Sequence, residues 1–222
     1  AGAQARMLGG DLRVEGGSRV LPPGAVAGAE PSIVLRAQGS VTAEGLRQAA
    51  ELGFVSRLAQ QATGSAAYAA VLAFRRGVPE LTVSSNLQGL GLTLPAPLGK
   101  PADAVLPLRF ENTLLRDSQT AVPGGAARLH DQLQLELGRL VSVAYVRDIA
   151  GPEPRVLRGA IGIGLAPGES APMPEEGVVA NINLANVNID AWEGILSRAA
   201  GTPLATQATP GANGNGASGG AA

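Results

Sequence analysis

From Gly64 to Ile189 apolar side chains fall at every second position in one segment after another, the period of strands with one apolar and one polar face. The segments run over 68–74, 80–94, 104–114, 131–147, 155–165 and 178–189. One set of positions carries Leu81 and Val83; Leu90, Leu92 and Leu94; Leu106, Leu108 and Phe110; Leu133, Leu135 and Leu137; Val141, Val143 and Tyr145; and Ile161, Ile163 and Leu165. The alternate positions hold Arg109, Gln132, Gln134, Glu136, Ser142 and Arg158. Turn-forming Pro and Gly separate the segments at 76–79, 95–101, 123–125, 151–154 and 167–174. The Gly138-Arg139 pair inside 131–147 reads as a bulge in one long strand rather than a chain reversal.

Upstream, 10–15 and 32–42 alternate in the same way, with Ile33, Leu35, Ala37, Gly39 and Val41 set against Val34, Arg36, Gln38 and Ser40, and Pro22-Pro23-Gly24 turning the chain between them. The period then changes. Leu46, Ala50, Phe54, Leu58 and Ala62 recur at a spacing of four, which predicts an amphipathic helix over 43–62. Thr42 is placed to cap it, Glu44 to meet its positive end, and Thr63-Gly64 to stop it. The elements together predict a mainly β fold, an antiparallel meander with one inserted helix, over residues 1–200. Residues 201–222 are rich in Gly, Ala and Asn with almost nothing to pack, and are expected to be a disordered tail.

Composition narrows the chemistry. The 222 residues are 45% hydrophobic but only 3% aromatic, so the apolar face is built of Leu, Val and Ala. A net charge of −1, with scattered arginines and Lys100 as the single lysine, provides no basic field for nucleic acid. Without cysteine there is no disulfide and no thiolate metal site. The longest nearly apolar run, 66–74, is too short to cross a bilayer, and the start at Ala1 without Met reads as an excerpt of something longer.

Candidate catalytic groups do not converge. His130 is the only histidine, which leaves no imidazole cluster for a metal, and no cofactor is expected. The G-x-S-x-G at 216–220 has neither the strand before it nor the helix after it that a nucleophile elbow requires. Gly159, Gly162 and Gly164 alternate inside a strand instead of opening a helix. Glu175 and Glu176 are neighbours in a Pro-rich loop, and Asp117, Asp131, Asp148 and Asp190 sit near strand ends, where carboxylates serve turns and caps. An enzyme is therefore not expected; a hydrolase would need, for example, Asp131 and Glu175 brought together across a cleft.

One stretch is more distinctive. In 84–101, SSNLQGLGLTLPAPLGKP, the leucine ladder stops in a proline-bracketed turn. Ser85, Leu87 and Gly89, followed by Leu94-Pro95, Pro97-Leu98 and Lys100-Pro101, resemble the S-x-L-x-G…LPxPLxKP element of YhdP proteins, the large AsmA-like envelope proteins of Gram-negative bacteria. Asp190 and Trp192 resemble the D-x-W turn after a late strand of that family, and the helix leading into 64–68 is similar to its helix-then-strand insert. The resemblance covers roughly residues 30 to 200.

The resemblance implies an open, curved, groove-like sheet in a periplasmic protein tethered to the inner membrane. Its groove would pass phospholipid towards the outer membrane without catalysis. The apolar faces named above would line it, phospholipid acyl chains and adjoining β-repeat sections would be its partners, and membrane contact would come only through segments absent here. About nine strands at roughly 4.8 Å give a sheet near 40 Å long, one section of a longer conduit. Read from the residues alone, the same alternation suits a structural or partner-binding envelope module with a closed core.

Overall fold

The computed structural model describes residues 2–18, 33–75, 77–115, 129–165, 169, 171–184 and 188–200. The alternating segments form strands β1 (Gly2–Met7), β2 (Gly10–Ser18), β3 (Ile33–Thr42), β4 (Ala62–Arg75), β5 (Val78–Ser85), β6 (Leu90–Leu92), β7 (Leu108–Leu114), β8 (His130–Leu137), β9 (Val141–Asp148), β10 (Arg155–Ile163) and β11 (Gly177–Ile182). Three helices accompany them: α1 (Ala43–Gln48), α2 (Phe54–Leu58) and α3 (Ile189–Ala200). The sheet order is β1-β2-β3-β4-β5-β7-β8-β9-β10-β11, with β6 paired off this path to the start of β4. The sheet is open and does not close into a barrel.

From β1 to β10 each successive pair along this order is antiparallel. The last pair departs from the expected meander, since β11 lies parallel to β10. A parallel pair cannot be joined by a tight turn, and the Pro-rich stretch from Gly164 to Glu176 supplies the long crossover that it needs.

Three further expectations are corrected. The Gly138-Arg139 pair is a reversal and not a bulge: Leu137 pairs with Val141 across a three-residue loop, and Gly138 takes the positive φ of 56° that such a loop requires. The predicted strand over 80–94 breaks after Ser85, where Leu87 at φ 49° and Gly89 at φ 94° turn the chain so that β6 pairs with β4. The single helix over 43–62 is four short pieces, α1 and α2 alternating with 3-10 turns at Ala50–Leu52 and Ala59–Gln61. Gly53, at φ 56° and ψ −112°, breaks the helical path. Its start follows expectation: the Thr42 hydroxyl accepts a hydrogen bond from the Gly45 N–H at 2.9 Å.

The pieces are tied by Arg47, which donates to the carbonyls of Ala59 (3.1 Å) and Ala62 (2.8 Å). β1 and α3 were not anticipated. The tail 201–222, the motif at 216–220, Asp117 and the turns at 22–24 and 123–125 lie outside the described residues.

Among the described residues no large side chain is fully buried, and the apolar side chains along the middle of the strands stay half-buried, so no second layer seals the sheet's apolar face. The buried core is instead local. Val41, Ala43, Ala62, Ala66, Leu87, Leu90 and Leu106 cluster at one end of the strands, with Leu46, Tyr68, Leu108, Leu137 and Leu140 packed against them. The helical insert, β6 and the 86–107 loop thus close one margin of the sheet and leave most of its apolar face uncovered by other elements. No described helix is long and apolar enough to cross a membrane.

Candidate functional site: the apolar face of the sheet

Register turns the alternation of single strands into rows that cross the sheet. Val14, Ala37, Ala70, Val83, Phe110, Leu135, Val143 and Ile161 stand side by side on β2 to β10. One step towards the closed margin, Leu108, Leu137, Val141, Ile163 and Ile182 form a second row. One step the other way, Leu35, Leu72, Leu81, Leu133, Tyr145 and Val178 form a third, interrupted by Asn112. A one-residue slip anywhere would send polar side chains onto this face.

The other face carries a polar row along the same strands, beside Ala69 and Val71 of β4 and the buried Val146 and Ala160 of β9 and β10. Arg13, Gln38, Ser84, Arg109, Glu136 and Ser142 are aligned there. On the apolar face Val83, Phe110, Leu135, Val143 and Ile161 are half-buried, neither sealed in a core nor fully wet. With ten strands about 4.8 Å apart the sheet extends about 43 Å across the strands, and the three rows at about 6.8 Å per step span roughly 14 Å.

The residues expected to line this face separate into two groups. Leu81, Val83, Leu108, Phe110, Leu133, Leu135, Leu137, Val141, Val143, Tyr145, Ile161 and Ile163 lie on the rows. Leu90 (4% exposed) and Leu106 (7%) belong to the closed margin, with Leu92 packed on it and Leu94 half-buried in the adjoining loop. Sequence reasoning left Val14, Ala70 and Leu72 out of the lining, although the alternation of β2 points to Val14; β4 carries Ala and Val on both sides.

The distinctive motif builds the closed margin. The Ser85 hydroxyl donates to the Ala67 carbonyl (2.7 Å) and accepts from the Leu87 N–H (3.0 Å), pinning the end of β5 to β4 as the chain turns. Gly89 then accepts from the Ser65 N–H (3.1 Å) and donates to the Ala102 carbonyl (2.6 Å). Leu92 and Lys100 exchange backbone hydrogen bonds at 2.9 and 3.0 Å, closing the 93–99 loop, inside which the Leu98 N–H bonds the Pro95 carbonyl and the Ala96–Pro97 peptide is cis.

Lys100 holds this loop from within. Its ammonium donates to the carbonyls of Leu90 (2.6 Å), Ala104 (2.8 Å) and Pro101 (3.1 Å), filling all three donor positions. Burial among these carbonyls pulls its pKa below the usual lysine value, and the Asp103 carboxylate opposes that shift.

The second motif arrives from far along the chain. The Trp192 indole N–H donates to the Ala96 carbonyl at 3.0 Å, docking α3 on the proline loop. Asn188 caps that helix, its side-chain oxygen accepting from the Ala191 N–H, while Asp190 is exposed in the first turn. The two stretches that resembled YhdP proteins therefore meet in one assembly.

A family model described as YhdP protein matches residues 1–219. The chain belongs to the YhdP family. No curated protein and no solved structure matches it. Within this YhdP-family chain, His130 of β8 stands directly opposite Asp148 of β9. Glu175 and Glu176 are exposed, and Gly159 and Gly162 are buried in β10. No group of His, Asp and Glu among the described residues is placed to hold a metal ion.

Asp131, expected at a turn or cap, is instead 4% exposed within β8. It receives Nε and Nη2 of Arg147 at 3.0 and 2.6 Å from the directly opposite position on β9.

Proposed function

We propose that this YhdP-family chain is a section of a bridge-like lipid-transfer protein, its apolar face forming a β-groove for phospholipid passage between inner and outer membrane. The single observation that carries the reading is the row of half-buried apolar side chains from Val14 to Ile161 across an open sheet that no second layer seals among the described residues. A structural module with a closed core would bury that row. Family membership supports an envelope setting, and the reading takes the chain to work in the periplasm with a membrane tether outside these residues. The reading is of a passive conduit, without catalysis.

Physical chemistry supports an acyl ligand in particular. Each CH₂ moved from water to an apolar surface contributes about 0.8 kcal/mol, so a long acyl chain on these rows gains on the order of 10 kcal/mol. The face offers few aromatic rings to obstruct a chain and few polar groups to desolvate. The strand edges would continue into adjoining sections: β11 is exposed along its length, with Val178 and Ile182 more than half exposed, and no proline or charge guards it. Purification without detergent, followed by solvent extraction and mass spectrometry, is expected to recover phospholipid in stoichiometric amounts. Protein recovered free of lipid would contradict the proposal.

A further inference from the structure

We propose that Arg147, held in place by Asp131, receives the phosphodiester of a phospholipid headgroup at the groove margin opposite the closed one; this rests on the groove reading above. In β8 and β9 alternation puts Asp131 and Arg147 on the apolar face, in line with Leu133, Leu135 and Leu137 and with Tyr145, Val143 and Val141. Both belong to a fourth row with Leu114 and Val156, three steps and about 20 Å from the row of Leu137 and Val141 at the closed margin. A charged pair on an aliphatic face costs desolvation that a hydrophobic pair would not, so stability alone is a poor reason for it.

The asymmetry of the pair points outward. The Asp131 side chain is 5% exposed, with the buried Leu114 beside it on β7, whereas that of Arg147 is 21% exposed with the half-exposed Val156 beside it on β10. The cation is the reachable member. Asp131 engages Nε and Nη2, which fixes the plane of the guanidinium and leaves Nη1 with its two N–H groups unengaged. A fork of fixed orientation with free donors suits a phosphate oxygen better than a mobile lysine would.

The surroundings grade from apolar to polar in the order that a lipid requires. Tyr145, one row inward from Arg147, lays its ring over Gly159 of β10, where an added Cβ would lie 2.2 Å from the ring. Asn112 occupies the same row two strands away. Acyl chains would then lie on the rows of Leu133, Leu135 and Leu137, with the headgroup at Arg147.

The test uses mixed vesicles of phosphatidylglycerol, phosphatidylethanolamine and diacylglycerol with the same acyl chains. The chain is incubated with them and recovered, and its bound lipid is quantified. Wild type is expected to enrich phospholipids over diacylglycerol about tenfold, the ratio that one charge-assisted contact supports. The double variant Asp131→Leu/Arg147→Met removes both charges together, which avoids an unpaired buried carboxylate. It is expected to bind as much total lipid with a ratio near one.

Equal uptake of both lipid classes by wild type, or an unchanged ratio in the variant, would overturn the headgroup site and leave the groove standing. No lipid uptake by either protein would overturn both. Inorganic phosphate in large excess is expected to leave the wild-type ratio unaltered; a fall to the variant's ratio would mean that the site takes the free anion, and would overturn the headgroup assignment.

Discussion

Replacing Leu135 by Asp is expected to strip the chain of phospholipid while leaving the sheet folded. Leu135 stands mid-row between Phe110 and Val143, with Val83 and Ile161 beyond them. It is half-buried, so the carboxylate keeps some access to water when the face is empty and the strand ladder survives. When an acyl chain covers it, that access is lost, and an unpaired charge beneath hydrocarbon costs several kcal/mol. Lipid recovered from detergent-free preparations is therefore expected to fall at least about tenfold, with the circular dichroism spectrum retained. Gln134→Asp, one residue away on the polar face, is the matched control and is expected to bind lipid as wild type does. Equal recovery from both variants would contradict the assignment of faces.

A large loss of stability is expected from Gly89→Ala. Gly89 sits at φ 94°, and an added Cβ would lie 2.3 Å from the Ser65 carbonyl oxygen, backbone that is itself held in the β4–β6 junction. The expected cost is about 3 kcal/mol, combining left-handed strain with displacement of the turn that seats Leu87 and Leu90 in the core. For a chain of this size that lowers Tm by about 10 °C. Gly77→Ala separates the two contributions, because φ there is 81° but nothing lies within 4 Å of the new Cβ. It should cost only the strain, about 1 kcal/mol. Equal losses in thermal unfolding would show that the close approach at Gly89 carries no weight.

How far the sequence reveals this structure depends on which interaction places each element. Alternation marks faces, and they were legible where one side of a strand is aliphatic and the other polar, as in β5, β7 and β8, whereas β4 and β9 carry Ala and Val on both sides. Alternation does not count strands. Leu137 and Val141 share parity whether the chain runs on or reverses through a three-residue loop, so the β8–β9 hairpin looked like one strand, and only the left-handed Gly138 distinguishes the two.

The helix over 43–62 was misjudged for a similar reason. A spacing of four survives the break at Gly53, whereas the exposure of Ala50 and Phe54 shows that the spaced positions do not form a continuous buried stripe. The parallel β11 was hidden because period two is blind to direction. In the candidate site, the rows could be read strand by strand, and the Ser85 to Pro101 motif could be recognised by its residues. What it does could not: the three carbonyls around Lys100, and the bond from Trp192 to Ala96, join positions that only the folded chain brings together. Asp131 gave no sign of burial, since its partner Arg147 lies across a hairpin that was not foreseen.

The most direct test of the central claim, that one face of this sheet carries acyl chains, is to place a photoreactive amino acid in turn at Val83, Leu135 and Val143 and at their strand neighbours Ser84, Glu136 and Ser142, which are exposed on the other face. After irradiation in cells, lipid adducts are read by mass spectrometry. Phospholipid adducts at the first three positions and none at the second three are the predicted result. Adducts on both faces alike, or on neither, would contradict it.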